Sequence, residues 1–292
     1  MSALDNVNPI AAFLWLMMVA GIAMFCFNPA ILAISLLGAL LFFISRNPDA
    51  RPSAHLPYLL LFALSVLINP LFNHNGATVL FVLNDNPVTL EAIYYGAAMG
   101  GMVLAVLYWF RSFQQIMTSD KLLYVFGSAL PKLTLILSIA LRYIPLLRKQ
   151  TRRVRDAQKA LGLFREENLL DRLRGELRIF SVLVSWALEN GIITADSMCA
   201  RGYGIGRRTR FALFRFQLRE GLMCLGCLLL GGCTIAAIAC GALACSFYPR
   251  YALPSPNALG CAAYASYTIL ALFPALLEVE ERIRWKSLKL KI

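Results

Sequence analysis

Six apolar runs, arranged in two blocks, constrain the fold of this chain more than any other feature. A helix that crosses a bilayer needs about 20 mostly apolar residues, and most of these runs approach or exceed that length. The whole chain is 59% hydrophobic and 15% charged, whereas soluble domains are about 45–50% apolar and about 25% charged. The pattern predicts an all-α, polytopic membrane protein with about six transmembrane helices. The runs cover residues 10–27, 30–45, 56–72 and 91–110, and then 221–248 and 259–277.

The main basic segment of the chain, residues 142–219, lies between the two blocks. It holds 17 of the 28 Lys and Arg residues and 7 of the 16 acidic residues, which leaves +10 of the net +12. Residues 73–90 contain no Lys or Arg, whereas residues 46–55 and the C-terminal tail contain several. Cytoplasmic loops of membrane proteins are rich in Lys and Arg. We therefore expect a multi-pass membrane protein with both termini and the basic segment in the cytoplasm.

One further stretch, residues 122–147, is apolar enough to be considered a span. A crossing there would place the basic residues that follow on the outside, against the charge distribution. Pro131, Lys132, Arg142 and Pro145 also interrupt it. We therefore predict helices that lie in or just under the membrane interface. The expected domains are N-terminal membrane helices (1–110), a cytoplasmic or interfacial helical domain (111–219), C-terminal membrane helices (220–278) and a basic tail (279–292).

The basic segment contains two patterns of helical periodicity. The first follows Pro145 and predicts an amphipathic helix that ends at Gly162. After a charged connector at residues 165–174, the second predicts a helix over residues 175–200 that ends at Gly202. Its apolar stripe consists of Leu177, Phe180, Val184 and Leu188. The two helix ends, Ala160-Leu161-Gly162 and Ala200-Arg201-Gly202, are alike in sequence, and we interpret them as two versions of one device.

Patterns typical of catalysis or cofactor binding are weak in this sequence. The two histidines, His55 and His74, belong to no recognisable catalytic or metal-binding pattern, and no P-loop is present. Asp85 and Glu91 flank a loop and are interpreted as caps or solvated groups. The pair Cys224-x-x-Cys227 has metal-like spacing, but it lies in an apolar run, where thiols pack as small hydrophobic groups. We expect no catalytic residue, no cofactor and no metal site.

Two glycine patterns have structural explanations. Gly202-x-Gly204-x-Gly206 follows a helix, whereas a dinucleotide-binding fingerprint follows a strand and opens a helix. A flexible, basic exit loop is therefore favoured. Gly96-x-x-x-Gly100, followed by Gly101, predicts close packing between two membrane helices. A nucleic-acid partner is disfavoured because the basic segment is tethered between membrane spans.

Arg201 at the predicted helix end has two explanations. An arginine in the last turn interacts favourably with the helix dipole, and glycine after it permits a left-handed backbone. Alternatively, Arg201 projects beyond the helix into a groove of a partner, where its planar guanidinium could pair with an acidic side chain or a helix C-terminus.

Three segments resemble the transmembrane (T) component of energy-coupling factor transporters, which are bacterial importers of vitamins and metal ions. They are Leu141-Arg142-Tyr143-Ile144-Pro145, which resembles the start of the family's first coupling helix, the stretch 195–203 with its Ala-Arg-Gly triplet, and the basic exit Gly206-Arg207-Arg208-Thr209-Arg210. The resemblance implies a non-catalytic subunit of the bacterial cell membrane. Its partners would be two ABC-type ATPase subunits, a substrate-binding membrane (S) subunit and the lipid bilayer.

The resemblance also implies which residues couple to the ATPases. The family carries an Arg-containing triplet at the end of each coupling helix, whereas this chain has Leu161 at the first arginine position. That end would dock by apolar packing, or Arg155, Lys159 or Arg165 would substitute for the missing arginine. The residues implied are Ala160, Leu161, Gly162, Ala200, Arg201 and Gly202, supported along the helices by Arg142, Pro145, Arg155 and Lys159.

Three other classes of membrane protein remain open at this point. A conventional permease subunit with its own translocation path would carry buried charges within its spans. An integral membrane enzyme would carry a cluster of metal-binding or carboxylate groups at an interface. A membrane scaffold would lack ATPase partners. The transported compound is not specified by any of these sequence patterns.

Overall fold

The computed structural model describes residues 7–47, 52–83, 86–127, 130–162, 169–206, 216–249, 251–252 and 257–289. The chain forms two compact units, one from Met1–Leu122 with Phe214–Ile292 and one from Leu123–Leu213. Both units are built from helices, so the all-α prediction is confirmed.

The first unit is a bundle of long helices, with one short β-hairpin between its third and fourth helices. The antiparallel strands of that hairpin are β1 (Val79–Leu83) and β2 (Asn86–Thr89). The helices are α1 (Pro9–Phe25), α2 (Pro29–Arg46), α3 (Leu56–Phe72), α4 (Leu90–Ile116), α8 (Leu218–Ala239) and α9 (Ala258–Lys289). A short 3-10 helix (Pro52–His55) precedes α3.

Asparagine caps fix the starts of α1 and α2. The Oδ1 atoms of Asn8 and Asn28 accept hydrogen bonds from the backbone N–H groups two residues later, each at 3.0 Å. Proline follows each cap, where its missing N–H is not needed and its fixed φ suits a helix. The turn between α1 and α2 is thus closed at Asn28-Pro29, where the asparagine side chain caps α2.

The bundle core is sealed by aromatic side chains whose polar tips bond to neighbouring helices. Trp15 Nε1 donates to the Leu270 carbonyl at 3.0 Å, and Trp109 Nε1 donates to Ser35 Oγ at 3.1 Å. Tyr267 OH donates to the Val19 carbonyl at 3.3 Å. These contacts satisfy polar groups that would be costly to leave unpaired in an apolar interior.

Close packing between α3 and α4 depends on two of the three glycines that the sequence singled out. A Cβ at Gly96 would lie 3.0 Å from the Asn69 Cβ, and one at Gly100 would lie 2.9 Å from Phe62 Cδ2. A Cβ at Gly101 would meet nothing within 4 Å. The prediction of a tight helix–helix face is confirmed for Gly96 and Gly100 and is wrong for Gly101.

Glu91 holds the β-hairpin against the start of α4. It is only 4% exposed, and its carboxylate accepts hydrogen bonds from the backbone N–H of Thr78 at 3.2 Å and from the Thr78 hydroxyl. Glu91 is thus a buried anchor and not a solvated group, which corrects one of the two alternatives offered by the sequence. Asp85 lies outside the described residues.

Six described helices are long and apolar enough to cross a membrane: α2, α3 with its preceding turn, α4, α7 (Leu169–Ala200), α8 and α9. The protein is therefore a multi-pass membrane protein. The set differs from the predicted one at two helices. Helix α1 has 17 residues and counts among the shorter apolar helices, whereas α7, in the basic segment, qualifies by length and hydropathy.

The span predicted over residues 221–248 is longer than the helix in the structure. Helix α8 ends at Ala239, because Gly241 adopts φ +73° and donates its N–H back to the Ile238 carbonyl at 3.0 Å. The apolar residues beyond it form an irregular segment that buries Leu243 and Phe247 against the bundle. Hydropathy extended the run to residue 248 because it does not distinguish a buried loop from a helix.

The second unit contains two long helices, α6 (Pro131–Ala160) and α7, and most of the short helix α5 (Ser119–Gly127). Helix α6 begins at Pro131 and continues through Pro145. The expectation that Pro145 separates two segments is wrong. Helix α7 begins at Leu169, within the connector predicted for residues 165–174.

Candidate coupling helix ends

Helices α6 and α7 run antiparallel, and two side-chain contacts fix their register. Arg155 Nη2 contacts both carboxylate oxygens of Glu176, at 2.7 and 3.0 Å. Tyr143 OH lies 3.2 Å from Thr194 Oγ1. A later residue on α6 thus faces an earlier one on α7, which places the C-terminal ends of the two helices at opposite ends of the pair. With a rise of 1.5 Å per residue, these ends lie about 40–50 Å apart along the helices.

The buried part of the helix pair is small. On α6 it is Gln158, and on α7 it consists of Gly175 and Ile179, which lie close in sequence to Glu176. Arg155 Nε and Gln158 Oε1 are buried without a hydrogen-bond partner in the described structure. Within the described residues, the contacts between the two helices include a small buried spot around Ile179, the Arg155–Glu176 ion pair and the Tyr143–Thr194 hydroxyl contact.

Helix α7 ends in a Schellman motif with Arg201 at the cap. The Gly202 N–H donates to the Cys199 carbonyl at 2.9 Å, and the Tyr203 N–H donates to the Met198 carbonyl at 3.0 Å. Gly202 adopts φ +82°, a conformation that strains residues with a Cβ. The chain turns away after Arg201, and the Arg201 side chain is exposed at the helix tip.

Helix α6 also closes on a glycine, with Leu161 at the cap. The Gly162 N–H donates to the Lys159 carbonyl at 3.0 Å, and Gly162 adopts φ +67°. Leu161 is 73% exposed, so an apolar side chain occupies the place that Arg201 takes on α7. The likeness of the two helix ends is confirmed at the level of backbone geometry.

The remaining predicted site residues have distinct environments. Arg142 and Pro145 lie exposed on α6, and Ala160, Lys159 and Ala200 are exposed near the helix ends. Arg155 is engaged with Glu176 within the helix pair, and its role as a substitute for the missing arginine at the Leu161 end stays a prediction. Arg165 and the basic exit at residues 207–210 lie outside the described residues.

Glu176 and Gln158 were not predicted from the sequence as residues that join the two helices. Both are polar residues on long helices without a motif of their own, so no local pattern distinguishes them from solvated positions. The available signal was charge pairing between helices: an acidic residue near the start of one predicted helix and a basic residue near the end of the other can meet only if the helices are antiparallel.

Helix α7 carries an exposed apolar face. The stripe predicted from the sequence is exposed at each position, with Leu177, Phe180 and Leu188 at 65%, 64% and 65% exposure. Ile192 extends it towards Arg201 with similar exposure. A contiguous apolar face of this kind on a long helix marks a contact surface for membrane or protein. In the described part of the chain, no group of three or more His, Cys, Asp or Glu residues is placed to hold a metal ion.

Comparison with known proteins identifies the family. The family model described as "Cobalt transport protein", CbiQ, matches residues 2–211. The chain is 30% identical over 182 residues to an energy-coupling factor transporter transmembrane protein EcfT of Listeria innocua, covering 58% of this chain and 68% of that protein. It is 35% identical over 99 residues to an EcfT of Streptococcus equi, covering 33% of this chain and 37% of the relative.

A further EcfT, from Lacticaseibacillus paracasei, is 32% identical over 114 residues, which cover 38% of this chain and 43% of that protein. The matches thus span about two fifths of the length of two of these relatives and about two thirds of the third. Together with the helical, multi-pass fold, the family match over residues 2–211 establishes that this chain belongs to the CbiQ family of transport proteins.

Proposed function

We propose that this protein is the coupling subunit of an energy-coupling factor importer. Two ABC-type ATPase subunits receive the ends of α6 and α7 in grooves, and ATP-driven closure of the ATPase pair moves the two helices. The helices pass that motion to a substrate-binding membrane subunit, which carries the vitamin or metal ion. In this proposal the protein itself performs no catalysis and needs no cofactor.

The observation that carries the proposal is the geometry of the Arg201 end. A Schellman turn directs the chain away from the helix axis, so the exposed Arg201 lies at the tip of a long helix. An exposed, planar guanidinium at such a tip suits a charge-assisted contact with a carboxylate or with the carbonyls of a helix C-terminus. Leu161 offers a second tip of the same shape with apolar chemistry.

The exposed apolar face of α7 supports the second half of the proposal. Its large side chains, among them Leu177, Phe180 and Leu188, remain about two thirds exposed. Contact with an apolar partner subunit would remove that surface from water, and each large aliphatic or aromatic side chain fully buried contributes about 1.5–3 kcal/mol. The same helix that ends in Arg201 therefore also carries a surface suited to the substrate-binding subunit.

The proposed orientation places both termini and the second unit in the cytoplasm. It follows from the lack of Lys and Arg in residues 73–90 and from their abundance in residues 142–219 and the tail. Single cysteines at Asn75 and Ser287, in a background without the eight native cysteines, would test it. An impermeant thiol reagent applied to intact cells should label position 75 alone, and equal labelling of both positions would exclude this orientation.

Co-purification and transport together test the function. Two different or identical ATPase chains should co-purify with this protein from detergent-solubilised membranes, and proteoliposomes with the complete complex should take up substrate only when ATP is supplied. Uptake by this chain without any ATPase would identify a conventional permease instead. A stable assembly that contains no ATPase would identify a scaffold.

A further inference from the structure

A cavity of mixed charge lies at the end of the bundle where α1 and α8 begin and the last turns of α9 lie. Its volume is about 720 Å³. The charged side chains that line it are Arg219 and Glu220 of α8 and Glu280, Glu281 and Arg284 of α9. Every one of these residues belongs to the first unit.

Glu220 is already engaged in the fold. Its carboxylate closes the capping box of α8 by accepting from the Gln217 N–H, and it also accepts from the Asn8 N–H at 3.3 Å, which ties the start of α1 to the start of α8. The other four charged groups, two arginines and two glutamates, form no salt bridge or side-chain hydrogen bond within the described part of the chain. These four carry no net charge together, so the cavity suits a ligand that carries both signs.

Part of the cavity lining is apolar. Met223, Phe273 and Leu277 contribute to it, and Trp285 lines the cavity together with the charged groups. A tryptophan beside charged side chains at the end of a membrane helix is typical of the headgroup level of a bilayer. A second depression of about 590 Å³ shares Gln217 with the first and is lined otherwise by Phe216, Leu218, Gly221, Leu222 and Leu225. The charged cavity is therefore next to an apolar path along α8.

Asn8 adds an unused donor beside this cavity. It is 1% exposed, its neighbour Val7 lines the cavity, and its Nδ2 has no hydrogen-bond partner in the described structure. A buried N–H without an acceptor is costly. An oxygen-rich ligand in the cavity would lie close to a group that lacks an acceptor.

We propose that this cavity binds one phospholipid with a zwitterionic headgroup that ends in a primary ammonium. Arg219 and Arg284 contact the phosphate, for which the guanidinium fork is well suited. Glu280 and Glu281 accept hydrogen bonds from the ammonium, and the acyl chains follow the apolar surfaces of α8 and α9. The lipid would bridge α8 and α9 at their polar ends. The proposal does not depend on coupling to ATPases, and its test uses this chain alone.

Native mass spectrometry of the full chain, with defined lipids added to the detergent, tests the site. Phosphatidylethanolamine should remain bound at least about tenfold more tightly than phosphatidylcholine, which has no ammonium N–H to donate, or phosphatidylglycerol, which has no cation, because one charge-assisted hydrogen bond is worth about this factor. Arg284→Gln should reduce phosphatidylethanolamine binding about tenfold. Arg282→Gln, the same change two residues away at a position that does not line the cavity, should leave it unchanged.

A variant that changes which lipid is preferred gives the sharper result, because a misfolded protein would lose binding without reversing its lipid preference. The double variant Glu280→Gln with Glu281→Gln retains both arginines and should favour phosphatidylglycerol over phosphatidylethanolamine. Equal retention of all three lipids by the wild type, an equal loss in Arg282→Gln, or an unchanged preference in the double variant would each overturn the proposal.

Discussion

The triplets that end α6 and α7 have a similar backbone turn at glycine and differ in the residue before that glycine. Each helix closes on a glycine with positive φ, +67° at Gly162 and +82° at Gly202, and each glycine N–H bonds back to a carbonyl of the last turn. The residue before the glycine is Leu161 in one case and Arg201 in the other. Glycine thus decides how the chain leaves the helix, whereas the preceding residue decides which contact a partner can make.

The difference between Leu161 and Arg201 matters because α6 and α7 are antiparallel, so the two residues lie at opposite ends of the helix pair. In the proposed complex, one ATPase would meet an ionic tip and the other an apolar one. Ionic contacts weaken as salt screens them, whereas apolar contacts do not. The two docking contacts should therefore respond differently to substitution and to ionic strength.

Substitution of Arg201 should have the largest effect. Arg201→Ala leaves the partner's acidic group without its counter-charge, which costs about 2–5 kcal/mol, or roughly 30-fold to several-thousand-fold in that contact. The Leu161 end and the apolar faces should still hold the complex together. Proteoliposomes with the variant should hydrolyse ATP but take up little substrate. Arg201→Lys should rescue poorly, since an ammonium lacks the planar fork, and wild-type uptake by Arg201→Ala would reduce Arg201 to a helix-terminal charge.

Substitution of Leu161 should have the next largest effect and should show the opposite chemistry. Leu161→Asp places a charge in an apolar contact and should weaken association with one ATPase by about 1–3 kcal/mol, roughly 5- to 150-fold. Leu161→Met is the matched control, because it keeps an apolar side chain of similar size. Pull-down of the ATPases over a range of salt concentrations measures both. Unchanged association and transport in Leu161→Asp would remove this position from the interface.

The converse change sharpens the same comparison. Leu161→Arg places an arginine before the terminal glycine of α6, as Arg201 precedes Gly202 on α7, and the glycine turn of α6 needs no change. The variant should transport at a level close to the wild type if the groove that receives Leu161 keeps an acidic partner, and its association should become sensitive to salt. Loss of association in both Leu161→Arg and Leu161→Asp would show that this groove is purely apolar.

The shared backbone predicts equal effects of the two glycines. Gly162→Ala and Gly202→Ala each force a Cβ into a left-handed conformation, at a cost of about 1–2 kcal/mol. Amide hydrogens in the last turn of the affected helix should exchange roughly 5- to 30-fold faster. Gly206→Ala is the control, because Gly206 has no positive φ and its Cβ would meet nothing within 4 Å. A large effect at one helix end only would break the equivalence of the two turns.

The positions that could be predicted from sequence are those with local causes. Gly162 and Gly202 predict helix ends because a positive φ depends on the residue itself. The apolar runs predict membrane helices because length and hydropathy are properties of each run alone. Predictions failed where the outcome depended on distant partners. Leu243 and Phe247 look like a continuation of α8 but pack into the bundle as a loop. Glu91 looks solvated but is buried because the β-hairpin folds back onto it.

Pro145 failed as a prediction for an energetic reason. A proline inside a helix removes one backbone hydrogen bond and costs about 3 kcal/mol, which suggested a break between two segments. Helix α6 has 30 residues, and the many bonds on either side of Pro145 outweigh one that is lost. The candidate site shows the same limit: the caps could be read locally, but the partnership of Arg155 with Glu176 required the register of two helices.

The ion pair that links the two helices should have the smallest effect. The Arg155 and Glu176 side chains are 40% and 43% exposed, so their attraction is weakened by water, and a pair of this kind contributes about 0.2–1 kcal/mol. A double-mutant cycle with Arg155→Gln and Glu176→Gln, followed by thermal unfolding in detergent, should give a coupling energy in that range that shrinks at high salt. The more exposed pair Arg174 and Asp171, 3.6 Å apart on α7 alone, is the control and should give a coupling energy near zero.

A small coupling energy between Arg155 and Glu176 means that α6 and α7 are joined lightly, so the Leu161 and Arg201 ends could move relative to one another when the ATPases close. A coupling energy above about 2 kcal/mol would instead indicate a rigid joint, and the two ends would then have to move as one body.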